Sequence, residues 1–431
     1  MTERFLLPET EITLEDHLAR GGGAALERAH VIGPEAVAAE VRAAGLRGRG
    51  GAGFPTGIKW EGMQEEERPR YLVCNAAEGE PGTFKDRSLM RRDPYQLIEG
   101  VAIAAFSIGA EAAFVATKAS FAREVGRLEQ AMAEMSAADV VGEIPIALVT
   151  GPDSYLFGEE KGLLEVVAGR DPMPTLYPPY VRGLFAEGVE SHPTVVNNVE
   201  TLSNVPHILR NGPDWFRSIG TEDTPGTMVF TISGDVVTEA VVELPMGTPL
   251  SDLVFGVAGG PVPGRSIRAV VSGVSNAPLA ADLLGTPMDF GSMRRVGSGL
   301  GSGGFIVYDD TACMARVAAT LSGFLADESC GQCPPCKLGT GALRDRFAAL
   351  ADGTARPGTL EEIAAWTTRV TDSNRCGLGG GQAVLAAGFV SAFGEELVLH
   401  LDGTCGRDRT EILPALVDYD EASGRFTRKA G

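Results

Sequence analysis

A layered α/β domain, a small α+β module and a helical C-terminal region are predicted in that order, from three observations. First, short β-rich runs at 71–76, 112–117 and 144–150 alternate with helical patterns at 94–108 and 122–135. Such alternation builds a largely parallel sheet covered by helices. Second, the texture changes near residue 220, where 227–234, 241–244 and 267–273 read as strands separated by Gly and Pro turns. Third, from about residue 311 the pattern is helical, at 313–326, 343–350, 360–372 and 383–393. The predicted boundaries are 1–222, 223–308 and 309–431.

The first helix is predicted at 33–45, with Pro34 in its first turn and Gly45 at its C-terminal end. The strands 71–76, 112–117 and 144–150 then supply the sheet. The chain has 431 residues, enough for two or three domains, and 44% hydrophobic content supplies real cores. Lys and Arg number 37 against 57 Asp and Glu, a net charge of −20, which argues against a nucleic-acid binder. The N-terminus lacks a basic stretch followed by an apolar core, so no signal peptide is predicted. The uncharged run 376–394 reads as a buried helix rather than a membrane span. A cytoplasmic, reducing setting follows from that reading.

Four cysteines carry the strongest chemical signal. Cys330, Cys333 and Cys336 are spaced C-x2-C-x2-C, and Cys376 follows after a long gap. That pattern suits the four corners of a [4Fe–4S] cluster. Structural zinc is the main alternative, although four-cysteine zinc sites usually read as two separated pairs. Disulfides are disfavoured by the low cysteine density, seven in 431. Cys74, Cys313 and Cys405 stand alone and read as packing residues, and the five histidines have no metal-like spacing.

Four further motifs precede the cysteines. The stretch 45–60 places six glycines in thirteen positions and ends in Lys59-Trp60. Its bare N–H groups can cradle phosphate, and Lys59 can add a cation. The segment 74–87 follows the first predicted strand, where parallel sheets bind ligands. In it Asn75 can read a ring or ribityl edge, while Glu78 and Glu80 can accept hydrogen bonds or be ordinary surface carboxylates. In Tyr155-Leu-Phe-Gly-Glu-Glu, a helix starting at Gly158 would hold Glu159 and Glu160 in its first turn, where the helix dipole alone explains them. Asn197 and Asn198 sit at another predicted helix start. Capping accounts for one Asn, which leaves the other and Thr201 with donors for a ligand.

These motifs, in this order over about residues 30–400, resemble the F-type flavoprotein subunit of bacterial NADH:quinone oxidoreductase. The same module occurs as the diaphorase subunit of NAD-linked hydrogenases and formate dehydrogenases. The resemblance implies an FMN-binding α/β domain, a ubiquitin-like β-grasp module and a C-terminal helical bundle with one [4Fe–4S] cluster. It also implies that NADH gives hydride to FMN and that electrons leave singly through the cluster. By the resemblance, Gly48, Gly50, Gly51, Lys59, Asn75, Gly158, Glu159, Asn197 and Asn198 fall on the FMN side. Phe54, Glu80, Tyr155, Glu160 and Tyr180 fall on the NAD side, with Glu78 nearby. The cluster ligands would be Cys330, Cys333, Cys336 and Cys376. The acceptor would be a ferredoxin-like [2Fe–2S] subunit or another redox protein, in an assembly peripheral to a membrane.

Two departures from the family pattern stand out. Ala77 replaces an acidic residue that helps line the flavin site, and Gly62 replaces an aromatic that packs the adenine of the dinucleotide. They motivate an alternative expectation, an electron-transfer subunit that binds flavin and cluster without itself oxidising NADH.

Overall fold

The computed structural model describes residues 4–407, 409 and 416–428. Residues 1–3, on which the expected lack of a signal peptide partly rests, lie outside the described residues. The chain forms two compact units. The first comprises Met1–Gly79, Phe84–Val229 and Val241–Gly247; the second comprises Glu80–Thr83, Phe230–Ala240 and Thr248–Gly431.

The first unit opens with four helices, α1 (Leu14–Ala19), α2 (Ala24–Ile32), α3 (Pro34–Ala44) and α4 (Thr56–Gln64). There follow β1 (Tyr71–Ala76), α5 (Lys85–Arg92), α6 (Pro94–Ile108), β2 (Ala112–Lys118), α7 (Ala122–Ala137) and β3 (Ile146–Gly151). A single 3₁₀ turn, Tyr155–Gly158, leads into α8 (Glu160–Val167), β4 (Thr194–Asn198), α9 (Val199–Asn211) and α10 (Pro213–Arg217). The strand order is β3-β2-β1-β4 and every neighbouring pair is parallel.

Local chemistry explains the main elements. Pro34 fixes the first turn of α3, and Gly45 closes it at φ 71°, a left-handed value that suits glycine. The Asp93 side chain accepts from Gln96 N–H to start α6, and Gly109 ends it. Almost every residue of α6 is buried. A Cβ at Gly100 would lie 2.1 Å from Leu202 O, so glycine lets α6 and α9 pack backbone to backbone.

Strand β4 is absent from the predicted elements. Its five residues, Thr-Val-Val-Asn-Asn, run directly into α9, and the sequence signals only the helix start. Its place in the sheet matters because β2 and β3 lie on one side of β1 and β4 on the other. The sheet therefore changes direction between β1 and β4, the place where open parallel sheets bind ligands.

After β5 (Thr227–Gly234) and β6 (Ala240–Pro245) come β7 (Ile267–Ser272), β8 (Leu279–Ala280), α11 (Phe290–Arg295) and β9 (Gly304–Asp309). In the second unit the sheet is mixed, with the order β5-β9-β7-β8. Within the second unit β5 pairs in parallel with β9, and β9 pairs antiparallel with β7.

The helical region contains α12 (Met314–Asp327), α13 (Pro334–Ala351), α14 (Thr359–Arg369) and α15 (Leu378–Leu399). The hairpin β10 (Leu416–Asp420) and β11 (Arg425–Arg428) adds two strands, absent from the predicted elements, to the region 309–431 expected as a helical bundle. Helix α13 also begins earlier than predicted, at Pro334 rather than 343. Gly339 and Gly341 weaken its sequence signal, yet a Cβ at Gly339 would meet Val370 at 2.7 Å, so packing demands the glycine. Helix α15 is long and apolar enough to cross a membrane by length and composition. One face of it, through Leu378, Gln382, Leu385, Phe389 and Leu397, is buried. Gln382 there donates to Ser322 on α12 at 2.9 Å. That face of the helix packs into the bundle.

Candidate flavin and cluster sites

The glycine-rich segment forms a closed loop between α3 and α4. Gly48 N–H donates to Phe54 O at 2.9 Å and Thr56 N–H to Leu46 O at 2.9 Å. Gly51 at φ 122° and Gly53 at φ 65° adopt backbone that side chains rarely take. Gly48 is not so constrained, since a Cβ there would make ordinary contact with Phe54. The loop is anchored by Arg49, which is fully buried and donates to Pro225 O at 2.8 Å and Thr227 O at 3.0 Å. Burial brings its pKa down to about 10.

The loop reaches the ends of β1 and β4. A Cβ at Gly50 would sit 3.1 Å from Asn198 Cβ. Asn75 and Asn198 are register partners across β1 and β4, as are Cys74 and Asn197. Thus residues far apart in sequence meet at the point where the sheet changes direction. Asn75 Nδ2 donates to Gly158 O at 2.8 Å, tying β1 to the 3₁₀ turn. A Cβ at Gly158 would lie 3.1 Å from Ala77 O, so glycine permits this close approach.

Several side chains expected to face a ligand are held by the protein. Asn198 caps α9 by accepting from Glu200 N–H at 3.0 Å, and donates to Asp86 at 2.6 Å. Thr201 Oγ1 accepts from Arg49 N–H at 2.8 Å. This contact uses an acceptor lone pair of the hydroxyl and leaves its O–H as a donor, as expected for Thr201. Asn197 Oδ1 accepts from Trp60 Nε1 at 2.9 Å. Lys59 Nζ donates to Val196 O at 2.9 Å and lies 3.6 Å from Glu160.

Glu78 accepts from the N–H groups of Lys85, Asp86 and Arg87 and so caps α5, whose own N-cap residue, Phe84, offers no side-chain bond. Burial, and secondly the charge of Asp86, push the Glu78 carboxyl up to about 7. Glu80 accepts from Val274 N–H at 2.6 Å within the second unit. Glu159 caps α8 through Lys161 and Gly162 N–H at 2.9 and 3.0 Å. The helix thus begins at Glu160, two residues later than the sequence suggests. Phe54 and Tyr180 are exposed, and Tyr155 is half-buried.

Beneath these residues lies a buried charge network that sequence reasoning missed. Lys85 Nζ is 2.7 Å from Asp86, 2.9 Å from Glu200 and 3.2 Å from Asn198. Burial alone would lower the Lys85 pKa; Asp86, Glu200 and Glu78 outweigh it and raise the pKa. The ammonium stays charged and stiffens the floor below the two strand ends.

The two departures have physical counterparts. Gly62 is exposed on α4, and a Cβ there would meet nothing within 4 Å. Ala77 is buried against Val73, Phe157 and Leu163 in an apolar cluster.

In the second unit, Cys330 lies in the loop after α12, Cys333 is the N-cap of α13, and Cys336 lies in its first turn. Cys376 lies between α14 and α15. Two contacts bring its segment to the triad: Arg375 N–H donates to Cys333 Sγ at 3.3 Å, and Arg375 Nη1 to Gln332 Oε1 at 2.6 Å. Gln332 Nε2 donates to Cys330 Sγ at 3.5 Å. Burial raises the Cys336 thiol. All four are free thiols. Three partly exposed thiols and one buried one, with N–H···S contacts at Cys330 and Cys333, fit an iron–sulfur cluster, whose potential such hydrogen bonds tune. A cleft of about 720 Å³ beside the cysteine loop is lined by Pro334, Leu338 and Trp366, well away in sequence from the glycine loop.

The expectation that Cys313 and Cys405 stand alone is corrected, and His400 joins them although its sequence spacing is not metal-like. Cys313, Glu396, His400 and Cys405 place one ligand atom each within 4.8 Å of one another. The helical region thus holds a second group of Cys and His side chains suited to a metal.

Comparison with known proteins agrees with the geometry. Residues 41–207 match the Nuo51 FMN-binding domain, and residues 316–400 match the NADH-ubiquinone oxidoreductase-F iron–sulfur binding region. The second NADH-quinone oxidoreductase F protein of Rhizobium meliloti (strain 1021) is 40% identical over 93% of this chain and 98% of its own length. The F protein of Rickettsia typhi (strain ATCC VR-144 / Wilmington) is 40% identical over 83% of this chain and 87% of its own. A crystal structure of an NAD⁺-reducing [NiFe]-hydrogenase in the air-oxidized state superposes with TM-score 0.80 at 35% identity, covering 91% of this chain and 67% of that one. The chain belongs to the family of NADH-quinone oxidoreductase F subunits.

Proposed function

We propose that this chain oxidises NADH through a bound FMN and passes the electrons through a [4Fe–4S] cluster to a protein acceptor. The observation that carries this is the pairing of Asn75 with Asn198 at the ends of β1 and β4, under a loop whose Gly50 lies against Asn198. When bound there, FMN supplies hydride acceptance and single-electron release, chemistry that no side chain offers.

The chain's own residues bind and orient. The N–H groups around Gly48, Gly50 and Gly51 receive phosphate, and Lys59 supplies positive charge. Asn75, Asn197 and Asn198, with Gly158 and Glu159, bound the flavin side. Exposed Phe54 and Tyr180, with Tyr155 and Glu160, form the dinucleotide side. Glu78 lies near the dinucleotide side and supports it through the backbone amides it holds. Cys330, Cys333, Cys336 and Cys376 hold the cluster.

The functional parts are 1–222, 223–308 and 309–431. The middle part is a ubiquitin-like β-grasp; its strand order and the parallel β5–β9 pairing support this. The acceptor is a ferredoxin-like [2Fe–2S] subunit or another redox protein, within an assembly peripheral to a membrane. Seven free cysteines suit a reducing, cytoplasmic setting.

The test is anaerobic reconstitution with FMN, iron and sulfide, followed by NADH and a dye acceptor. Flavin bleaching and dye reduction are expected. Bound flavin that neither NADH nor NADPH bleaches would instead establish an electron-transfer subunit that does not oxidise the dinucleotide, the reading favoured by the open space at Gly62.

A further inference from the structure

We infer that Cys313, His400 and Cys405, with Glu396 as the fourth ligand, bind one structural zinc ion separate from the iron–sulfur cluster. Cys313 is the N-cap of α12, and Glu396 and His400 lie at the end of α15 and just past it. Cys405 follows in the next segment. Four ligand atoms within 4.8 Å of one another surround a single ion. Cys313 and Cys405 also fall outside residues 316–400, the span matched by the family's iron–sulfur region.

The distances and tautomer suit zinc. Zn–S and Zn–N bonds of about 2.3 and 2.0–2.1 Å at the tetrahedral angle put the two ligand atoms about 3.5 Å apart. Cys313 Sγ and His400 Nε2 are 3.4 Å apart. His400 Nδ1 lies 2.7 Å from Leu350 O, a contact that requires the proton on Nδ1. That leaves the Nε2 lone pair directed at Cys313, the outer-shell arrangement that orients metal-bound imidazoles.

Glu396 is oriented in the same way. Its Oε1 accepts from Met314 N–H at 3.0 Å and its Oε2 pairs with Arg268, while each oxygen keeps a further lone pair. Two thiolates and one carboxylate give the zinc site one net negative charge. Arg268 beside Glu396 and Arg407 hydrogen-bonded to Cys405 offset it. Cys313 and His400 are buried, so the site is closed, as structural zinc sites are.

The position suggests what the ion does. Helix α12 runs from Cys313 toward Cys330, and α15 runs from just after Cys376 to His400. The helices that carry cluster cysteines at one end would be clamped at the other. At 1.5 Å per residue the 14-residue α12 separates its two ends by about 20 Å, so the zinc takes no part in electron transfer.

The test uses the full chain as purified, with FMN and cluster in place. Metal analysis should give about one zinc per chain beside about four irons. Exchange into cobalt should produce thiolate-to-cobalt charge-transfer bands of a tetrahedral site. Cys405→Ser, at a half-buried position, should lose at least four-fifths of the zinc and keep flavin and iron. Less than one-tenth zinc per chain with no cobalt uptake would overturn the inference. So would full zinc retention in Cys405→Ser, or a Cys313–Cys405 disulfide found by mass spectrometry after alkylation of the as-purified chain. Should the variant misfold, the metal content and cobalt spectrum of the unaltered chain decide alone.

Discussion

The glycine loop with its two strand ends, and the cysteine-bearing loops between the C-terminal helices, solve the problem of holding a cofactor in opposite ways. At the strand ends, backbone does the shaping: left-handed glycines, a closed loop and the Asn75–Asn198 register. The polar side chains there are largely spent on one another, as Asn198 is on Asp86, Lys85 and the start of α9. Among the cysteines, four side chains would hold the group directly, and backbone enters mainly through the Arg375 N–H···S contact. A site made of backbone should yield gradually to substitution, whereas one made of ligands should fail at a single atom.

The largest effect should follow from the ligand side. Cys376→Ala should abolish the reduced cluster's EPR signal while flavin absorbance stays unchanged; an unaltered signal would mean that another group completes the site. Next is the backbone side. Gly51→Ala places a side chain at φ 122°, a strain of about 1–3 kcal/mol. FMN affinity, read by fluorescence titration, should fall roughly five- to a hundred-fold, with iron content untouched.

A gain is expected at Gly62. Gly62→Phe enters open space on α4 and adds a stacking surface worth about 1–3 kcal/mol. The KM for NADH should fall about five-fold or more, with little change in kcat. An unchanged KM would place the adenine elsewhere.

The smallest effect is one of pH. The Glu78 carboxyl is raised from 4.5 to about 7 in the folded state, so folding favours its protonated form. Stability should decline as pH rises from about 4.5 to about 7 and then level off. Glu78→Gln should flatten that slope, measured as Tm between pH 5 and 8. An unchanged slope would assign it to other groups.

Much of this was legible in the sequence, for identifiable reasons. Helices α3 and α6 were visible because Pro opens and Gly closes each, and strand β1 because Tyr-Leu-Val-Cys is a short β-rich run. The cluster cysteines were visible because three of them share one turn of chain. Strand β4 was hidden because it is short and fuses into a helix, so the pairing of Asn75 with Asn198 could not be read. Glu78 read equally as a hydrogen-bond acceptor and as a surface carboxylate, because its partners are backbone N–H groups, which leave no mark in sequence. Cys313 and His400 are brought together by helix packing across α12 and α15, so no local spacing announces them.

The Arg375–Gln332 clasp bears on how the two cysteine segments are held. By joining the segment before Cys376 to the triad loop through ordinary hydrogen bonds, it closes a long stretch of chain without metal. Closing that loop costs chain entropy that grows only slowly with its length. The loop of Cys330 and Cys333 and the segment of Cys376 are thus tied to each other by Arg375 as well as by any group that their thiols share.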